Sequence, residues 1–243
     1  MKTPPPDNMP SRPSPQQLQD PFPDRVEIAS DFHLPTLTPS LASLLSHFDT
    51  AIATRQEPVR NPHHEPRVPE ATRQRATPAA ILFPIVNRPQ QLTVLLTRRH
   101  HSISFPGQIC FPGGRCDAQD ADEVQAALRE AQEEISLQPQ QVRILGRLGD
   151  YYTHSGYRIA PIIGLVSPPL DLVPHPREVA EIIEIPLAYV LRSDSYRLRR
   201  HPFIDDRAHF SVIYTDATIN GPTVSLLMGL YEQLVTTQPP ATL

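Results

Sequence analysis

The hydrophobic pattern after residue 78 begins with short apolar runs. "AAILFPIV" and "LTVLLT" are rich in β-branched residues and are separated by "NRPQQ", which predicts a β-hairpin. "ICF" predicts a further strand that ends at Pro112 and at the two glycines Gly113 and Gly114. "VRILGRLGDYYTHSGYRIAPIIGLV" predicts a strand, a loop and a strand, and "EVAEIIEIPLAYVL" predicts a strand followed by a short helix.

Two helical patterns complete this region. Asp120 is a suitable N-cap, Glu123 completes a capping box, and a helix is expected from there to about Leu137, before Pro139. The segment "GPTVSLLMGLYEQLV" places four leucines on one helical face: Leu226, Leu227, Leu230 and Leu234. Strands, a helix, more strands and a closing helix predict an α+β fold, a sandwich of helices around a sheet, over residues 78–237.

The first 77 residues have a different composition. Roughly half of the 30 prolines precede Ala79, and glycine is absent there, so residues 1 to about 37 are expected not to pack. "LTPSLASLLSHFDTAIA" interrupts this arm with a predicted amphipathic helix over about 38–53, with Thr38 as cap and Pro39 at the first helical position. Its apolar positions are Leu41, Leu44, Leu45, Phe48 and Ile52. Docking on the main domain or on a second subunit is favoured over recruitment of a partner, and residues 238–243 are expected to be a disordered tail.

Composition narrows the function classes. The 243 residues carry a formal net charge of -4, which gives no general attraction to nucleic acid or to an anionic membrane. Two cysteines, Cys110 and Cys116, cannot build a disulfide framework and match no structural zinc spacing. No signal peptide or membrane span is predicted, and a cytoplasmic location is expected. His63 and His64 are expected to be solvated.

The helix containing "LREAQEEISL" has two different faces. On a helical wheel of about 100° per residue, the apolar stripe holds Val124, Leu128, Ala131 and Ile135, and the opposite stripe holds Glu123, Glu130, Glu133 and Glu134. Glu130 and Glu134 lie about 6 Å apart along the axis, close enough for a hard cation to bridge them. Arg129 is one turn before Glu133, so this pair is expected to form and to leave the other two carboxylates for metal.

The residues before this helix favour a phosphate site over a merely solvated face. Gly113 and Gly114 let backbone approach a ligand closely, and a helix N-terminus attracts phosphate. Mg²⁺ or Mn²⁺ is typically held by one or two carboxylates plus substrate phosphates. The chemistry indicated is metal-assisted attack of water on a phosphoanhydride.

"GGRCDAQDADEVQAALREAQEEISL" resembles the Nudix box, usually written G-x5-E-x7-R-E-U-x-E-E-x-G-U, and "REAQEE" matches it at every defined position. Asp120 stands where the first glutamate belongs, one extra residue separates it from Arg129, and Ser136 replaces the final glycine. This longer box resembles the coenzyme A pyrophosphatase branch of the Nudix hydrolases.

The segment "LLTRRHHSISFPGQICFPGG" is similar to that branch's upstream signature, L-L-T-x-R-S-x3-R-x3-G-x3-F-P-G-G. Ser104 takes the place of its second arginine, and the spacing from Arg99 to Gly107 is one residue short. Asn220 also stands where a tryptophan is common. The likeness covers about residues 78–234 and implies a mixed Nudix sheet between helices.

The resemblance implies roles for individual residues. Glu130 and Glu134 match metal ligands, Glu133 is a further ligand or a group that orients water, and Arg129 orients Glu133. Gly114 is expected to offer its carbonyl to a metal, and Gly113 to lie with it at the substrate.

Other positions keep two interpretations. The general base is Glu133, or else Glu178 or Glu181 on "REVAEIIEI", and Arg99 is expected to contact phosphate ahead of Arg98. His154 and Tyr157 line a pocket or fill a loop. For "YRLRR", with Arg197, Arg199 and Arg200, a solvated loop is favoured over a phosphate contact.

The expected enzyme is a Mg²⁺- or Mn²⁺-dependent pyrophosphatase that splits coenzyme A or a derivative into 3',5'-ADP and 4'-phosphopantetheine. A second interpretation is hydrolysis of ADP-ribose, NADH or another nucleoside diphosphate derivative, because serine cannot replace an arginine that binds phosphate. A third is a non-catalytic nucleotide-binding module. The partner in each case is a small nucleotide, and a homodimer stays open.

Overall fold

A computed structural model describes residues 26–28, 37–51, 68–200 and 208–236. The predictions for Ile52, for His63 and His64, and for the tail 238–243 concern residues outside these ranges. The division into an arm of residues 1–77 and a catalytic domain of residues 78–237 stays a prediction.

The described residues form twelve strands and five helices. In chain order they are β1 (Val26–Ile28), α1 (Leu41–Ala51), α2 (Glu70–Gln74), β2 (Thr77–Asn87), β3 (Leu92–Arg99), β4 (Ile109–Cys110), β5 (Gly113–Arg115), α3 (Glu123–Ile135), β6 (Val142–Arg147), β7 (Tyr151–Tyr152), β8 (Tyr157–Val166), β9 (Val179–Pro186), α4 (Leu187–Val190), β10 (Tyr196–Arg200), β11 (Ala208–Tyr214), β12 (Ala217–Ile219) and α5 (Pro222–Thr236).

Eight of the strands form one mixed sheet with the central order β4-β3-β2-β8-β6. The predicted hairpin is confirmed, since β2 pairs antiparallel with β3. β2 also pairs in parallel with β8 over ten residue pairs, from Thr77 with Tyr157 to Val86 with Val166. β9 adds to β3, β5 to β2 and β7 to β8. The sheet therefore places β5 beside the first residues of β2, and β4 and β9 beside the last residues of β3.

Both faces of this sheet are covered, and β2 shows how. Alternate side chains of a strand point to opposite faces, and all eight residues from Ala79 to Val86 are buried. Ala80 and Leu82 pack in the cluster that contains the apolar side of α3, whereas Ile81 and Phe83 pack with residues of α1, α4 and α5. The predicted α+β sandwich is confirmed.

Four strands outside this sheet correct two predictions. They form a second sheet of order β1-β10-β11-β12, so residues 26–28 are paired although the arm was expected not to pack there. "YRLRR" is a strand and not a loop, because β10 pairs with β1 on one side and β11 on the other. The Arg197 guanidinium donates to the backbone carbonyls of Asp194 and Tyr196.

The predicted amphipathic helix in the arm is present as α1, but it begins later than expected. Ser40, and not Thr38, caps it: the Ser40 hydroxyl accepts from the Ser43 N–H at 3.1 Å. Leu44 and Phe48 are buried in the same cluster as the core residues of α5. This helix is therefore part of the main hydrophobic core.

Helix α3 also begins later than predicted. Its N-cap is Asp122, whose carboxylate accepts from the Gln125 N–H at 2.8 Å, while Glu123 pairs with Arg158 at 3.3 Å. The predicted capping box of Asp120 and Glu123 is wrong. The helix ends at Ile135 because Ser136 takes the left-handed conformation, with φ 58°, the position where helices commonly end.

Among the helices of the described residues, none is long and apolar enough to span a membrane.

The burial of α1 predicts a large cost for removing its contacts. Phe48 is 2% exposed, so Phe48→Ala should lower the free energy of unfolding by about 3–5 kcal/mol. Leu45→Ala is the matched control on the same helix, since Leu45 is only partly buried, and should cost about 1 kcal/mol. Urea denaturation followed by circular dichroism measures both. Equal small losses would show that the helix is not docked.

Candidate active site

Two glycines of β5 lie against two carboxylates of α3. The Gly113 N–H donates to Glu134 Oε2 at 3.2 Å. A Cβ added to Gly114 would lie 2.5 Å from the carboxyl carbon of Glu130. The glycines were predicted to end a strand; they instead form β5, paired with Ala80 and Ile81 of β2. This pairing holds glycine backbone directly beside the carboxylate groups.

Glu134 is buried, which the helical wheel did not predict. Its exposed fraction is 5%, because β5 covers its side chain and the Gly113 N–H contacts it. On the backbone, the Glu134 carbonyl accepts from the His175 N–H at 2.8 Å. Burial raises the pKa of Glu134 to about 8, against the effect of the Gly113 hydrogen bond. A buried carboxylate with so little compensation is poised to gain from an added cation.

Glu130 is in a related state. Burial raises the pKa of Glu130, although the Arg129 guanidinium acts to lower it. The neighbouring charge of Glu130 is one of the smaller influences that raise the pKa of Glu134. Both carboxyl groups are therefore harder to ionise than a free glutamate, and a nearby cation would favour their charged form.

Arg129 joins the acidic groups around it. Its guanidinium bonds both oxygens of Asp120 at 3.0 Å, Glu130 at 3.0 Å and Glu133 at 3.1 Å, and it also donates to the Arg115 carbonyl at 3.0 Å. The expected pair with Glu133 is present. The expectation that Glu130 stays free of Arg129 is wrong, because Arg129 Nη1 donates to both Glu130 and Glu133.

Asp120 is an anchor for Arg129 and not a helix cap. Its side chain is 4% exposed, and it also accepts from the Asp117 N–H at 2.7 Å. The hydrogen bond from Arg129 is the main reason that the pKa of Asp120 lies below its ordinary value. Sequence reasoning missed this contact. The sequence did contain a signal for it. Arg129 has five N–H donors, more than Glu133 alone can accept, and Asp120 is an acidic residue nearby in the same motif.

Glu178 approaches the carboxylate pair from a different segment. Burial is the largest cause that raises the pKa of Glu130 and of Glu134, and the charge of Glu178 is a smaller cause for both. Glu181, the other candidate base on this segment, is paired with Arg98 at 2.8 Å. The segment of Glu178 also contacts α3 through its backbone, since the Glu178 N–H donates to the His175 carbonyl at 3.1 Å and the His175 N–H donates to the Glu134 carbonyl.

Arg99 supplies positive charge at the same place. Its charge acts to lower the pKa of Glu134, whose burial raises it, and its Nε donates to the Ser104 carbonyl at 2.8 Å. Ser104, which stands where a second arginine was expected, thus holds Arg99 through its backbone carbonyl.

Of the remaining residues singled out in the sequence, Tyr157 lies near the glycines of β5, and Arg197 lies in the second sheet. Tyr157 accepts from Arg115 Nη2 at 2.8 Å, next to the glycines. His154 is exposed. Arg197 belongs to the second sheet, and the side chains of Arg199 and Arg200 lie outside the described set.

The donor set fits a divalent cation completed by substrate. In the parts of the chain that the structure describes, no group of three or more His, Cys, Asp or Glu side chains is arranged as a ready metal site. Mg²⁺, however, is usually bound through one or two carboxylates with waters and phosphates. Glu130 and Glu134 offer two carboxylates beside open glycine backbone, which suits that arrangement.

Comparison with known proteins identifies the family. A model of the NUDIX domain matches residues 75–190. The Nudix hydrolase NudL of Yersinia enterocolitica is 44% identical over 159 residues, which is 64% of this chain and 80% of that protein. The chain therefore belongs to the Nudix hydrolase family, and the predicted hydrolase class is confirmed.

Other relatives are matched over a smaller part. NudL of Photorhabdus laumondii is 44% identical over 119 residues, covering 49% of this chain and 63% of that protein, less than two thirds of its length. NudL of an Enterobacter species is 39% identical over 132 residues, covering 54% and 67%. These relatives are described as uncharacterized, so the coenzyme A branch stays a prediction.

Solved structures give more distant likenesses. The Nudix hydrolase RenU of M. smegmatis has a TM-score of 0.44 at 23% identity, covering 69% of this chain and 91% of that one. A MutT/nudix family protein from Enterococcus faecalis has a TM-score of 0.46 at 15% identity, covering 82% and 70%. The family membership rests on the sequence relatives.

The two glycines give a matched pair of substitutions. In Gly113→Ala the new Cβ would lie 2.4 Å from the Ala80 carbonyl, and backbone cannot yield easily, so the free energy of unfolding should fall by about 2 kcal/mol or more. In Gly114→Ala the Cβ meets the flexible end of Glu130 at 2.5 Å, so the fold should persist while the carboxylate is displaced. We expect a melting temperature close to the wild type and at least about tenfold lower hydrolysis. Full activity in Gly114→Ala would contradict the role given to Glu130.

Proposed function

We propose that this protein is a Mg²⁺- or Mn²⁺-dependent pyrophosphatase that hydrolyses the pyrophosphate bond of coenzyme A or a derivative, giving 3',5'-ADP and 4'-phosphopantetheine or its acyl form. The observation that carries the proposal is the buried Glu134 carboxylate beside Glu130, with the backbone of two glycines facing them. The family membership and the intact "REAQEE" segment support the same reaction class.

Glu130 and Glu134 hold the divalent cation, with Glu133 as an additional ligand and the Gly114 carbonyl as a further donor. When bound, the cation screens the phosphate charge and activates the attacking water. Burial favours this role because a carboxylate removed from water gains more from a cation than an exposed one. In the absence of cation, the same burial is a cost that the fold carries.

Arg129 positions the acidic groups and does not contact substrate. Asp120 accepts two of its hydrogen bonds, which fixes the guanidinium plane. Arg129 then holds Glu130 and Glu133 at 3.0 and 3.1 Å. A planar donor with several N–H groups suits this work better than lysine does.

Glu178 accepts the proton of the attacking water. Its segment is held against α3 by the hydrogen bond from the His175 N–H to the Glu134 carbonyl, and its side chain is 46% exposed, so water reaches it. Glu133 is the alternative acceptor, but its carboxylate is engaged by Arg129. Arg99 contacts the phosphates and offsets their charge.

The second candidate is a pyrophosphatase for ADP-ribose, NADH or another nucleoside diphosphate derivative. One observation favours it: Ser104 replaces the expected arginine, and only its backbone carbonyl contacts Arg99. A solved Nudix domain of Shewanella oneidensis NrtR is described with ADP-ribose, which shows that compound for that protein only. A non-catalytic nucleotide-binding module is disfavoured because all three glutamates of the box are kept. A cytoplasmic location stays a prediction.

A substrate panel tests the proposal. Purified protein with Mg²⁺ or Mn²⁺ should release 3',5'-ADP and 4'-phosphopantetheine from coenzyme A, with kcat/KM above that for ADP-ribose and NADH, as measured by chromatography of the products. The control is Glu134→Gln, which keeps the side-chain shape and an acceptor for the Gly113 N–H but removes the negative charge of one proposed metal ligand. Its turnover should fall by about a hundredfold or more, with no loss of thermal stability in metal-free buffer.

Equal or better turnover of ADP-ribose would reject coenzyme A in favour of the second candidate. Unchanged turnover in Glu134→Gln would reject the carboxylate site itself.

A further inference from the structure

Phe105 is an exposed aromatic side chain on the loop beside the candidate site. Among the described residues, the exposed large hydrophobic side chains are Phe105 at 66% and Val173 at 55%. A single exposed apolar residue needs no explanation on its own. The backbone and the surroundings of Phe105 make it different from an ordinary surface residue.

The backbone of Phe105 is in the left-handed region, with φ 57°. This conformation is sterically disfavoured for bulky residues and is normally taken by glycine or asparagine. A loop that required only this turn would be better served by glycine. The phenyl ring is largely outside the core, so its presence at a strained backbone position points to a use outside the fold.

The loop that carries Phe105 is closed by backbone hydrogen bonds between its two ends. The Gly107 N–H donates to the Arg99 carbonyl, and the Arg99 N–H donates to the Gln108 carbonyl, both at 2.9 Å. The Gln108 N–H also donates to the Phe105 carbonyl at 3.3 Å. Phe105 is therefore held by a network of backbone hydrogen bonds.

The same loop contacts Arg99 and the segment of Glu178, the two residues proposed above to bind phosphate and to accept a proton. The Arg99 guanidinium, proposed above to contact phosphate, donates to the carbonyl of Ser104, the residue before Phe105. On its other side, the His100 N–H donates to the Glu178 carbonyl at 2.8 Å and the Ser102 hydroxyl donates to the Arg177 carbonyl at 2.7 Å. Phe105 thus has a fixed position relative to the phosphate-binding arginine and to the proposed base.

We propose that the Phe105 ring forms a stacking surface for the aromatic base of the nucleotide substrate. This inference rests on the proposed function, because it takes the phosphates to lie at Arg99 and at the carboxylate pair. A base is joined to those phosphates through its ribose, so it must lie at the rim of the phosphate site. Stacking on an aromatic ring requires a π-face and no specific hydrogen bond, and an exposed phenyl ring provides one.

The chain contains no tryptophan, which allows a binding measurement that does not depend on turnover. In Phe105→Trp, the new indole is the sole tryptophan and should be quenched when a purine stacks on it. The probe is adenosine 3',5'-bisphosphate, which has no phosphoanhydride to hydrolyse, titrated into the full chain with Mg²⁺. Ribose 5-phosphate, which lacks a base, should leave the fluorescence unchanged. Val173→Trp is the matched control at the other exposed position and should show only weak quenching of a collisional kind.

Saturable quenching by the bisphosphate in Phe105→Trp alone supports the inference. Equal quenching in the two tryptophan variants, or no quenching in either while the wild-type enzyme still hydrolyses its substrate, overturns it and leaves the proposed function intact. Loss of hydrolysis on the entire substrate panel with quenching preserved would instead reject the proposed function.

Kinetics with three further variants separate stacking from loop structure. Phe105→Leu keeps an apolar side chain without the ring and should raise KM about tenfold with little change in kcat, whereas Phe105→Tyr should retain the wild-type KM. Phe105→Gly removes the ring but suits the left-handed backbone, so it should lose substrate affinity while keeping its melting temperature. A wild-type KM in both Phe105→Leu and Phe105→Gly would contradict the inference.

Discussion

The close approach of β5 to helix α3 is the constraint on which the candidate site depends. It requires glycine at two successive positions, because a side chain at Gly113 would enter the backbone of β2 and one at Gly114 would displace the Glu130 carboxylate. It also removes the Glu134 carboxylate from water. The charge is costly in the free protein, and the same cost makes the site favourable for a cation.

The rest of the fold supports this contact. The strand β2 connects the site to the main core. One face of β2 packs on the apolar side of α3, and the other packs on the cluster that includes α1 and α5. Arg129 then orders the acidic groups, with Asp120 as its buried anchor. The arm contributes to the core through α1, so the packing that positions the site extends beyond the region that matches the family model, residues 75–190.

The sequence predicted the larger elements well because their periods are strong. The hairpin of β2 and β3, the strand and short helix after residue 178, and the buried leucines of α5 follow from apolar spacing alone. The helix caps were placed wrongly, since Asp120 and Asp122 are both good N-caps and only the reach of Arg129 decides between them. The local sequence pattern does not reveal the contact between Arg129 and Asp120, which lie nine residues apart.

The sequence names candidate site residues, whose roles stay a prediction, but it did not predict the surroundings of these residues. "REAQEE" identified the glutamates and their arginine, but a helical wheel places Glu134 on an exposed face because it cannot show that β5 covers that face. The strand β10 was missed because it is short and carries three arginines, and one of its two partners, β1, is far away in the chain. Phe105 also gave no sequence signal, because its exposure and its left-handed backbone are properties of the folded loop.

The central claim is that Glu130 and Glu134 together hold a divalent cation, and Mn²⁺ binding tests it directly. Electron paramagnetic resonance of free Mn²⁺, titrated with the full chain and with Glu130→Gln/Glu134→Gln, reports binding without any substrate. The account predicts loss of the free Mn²⁺ signal with the wild-type protein and at least about tenfold weaker binding in the double variant, since both exchanges remove a ligand charge. Equal Mn²⁺ binding by the two proteins would contradict it.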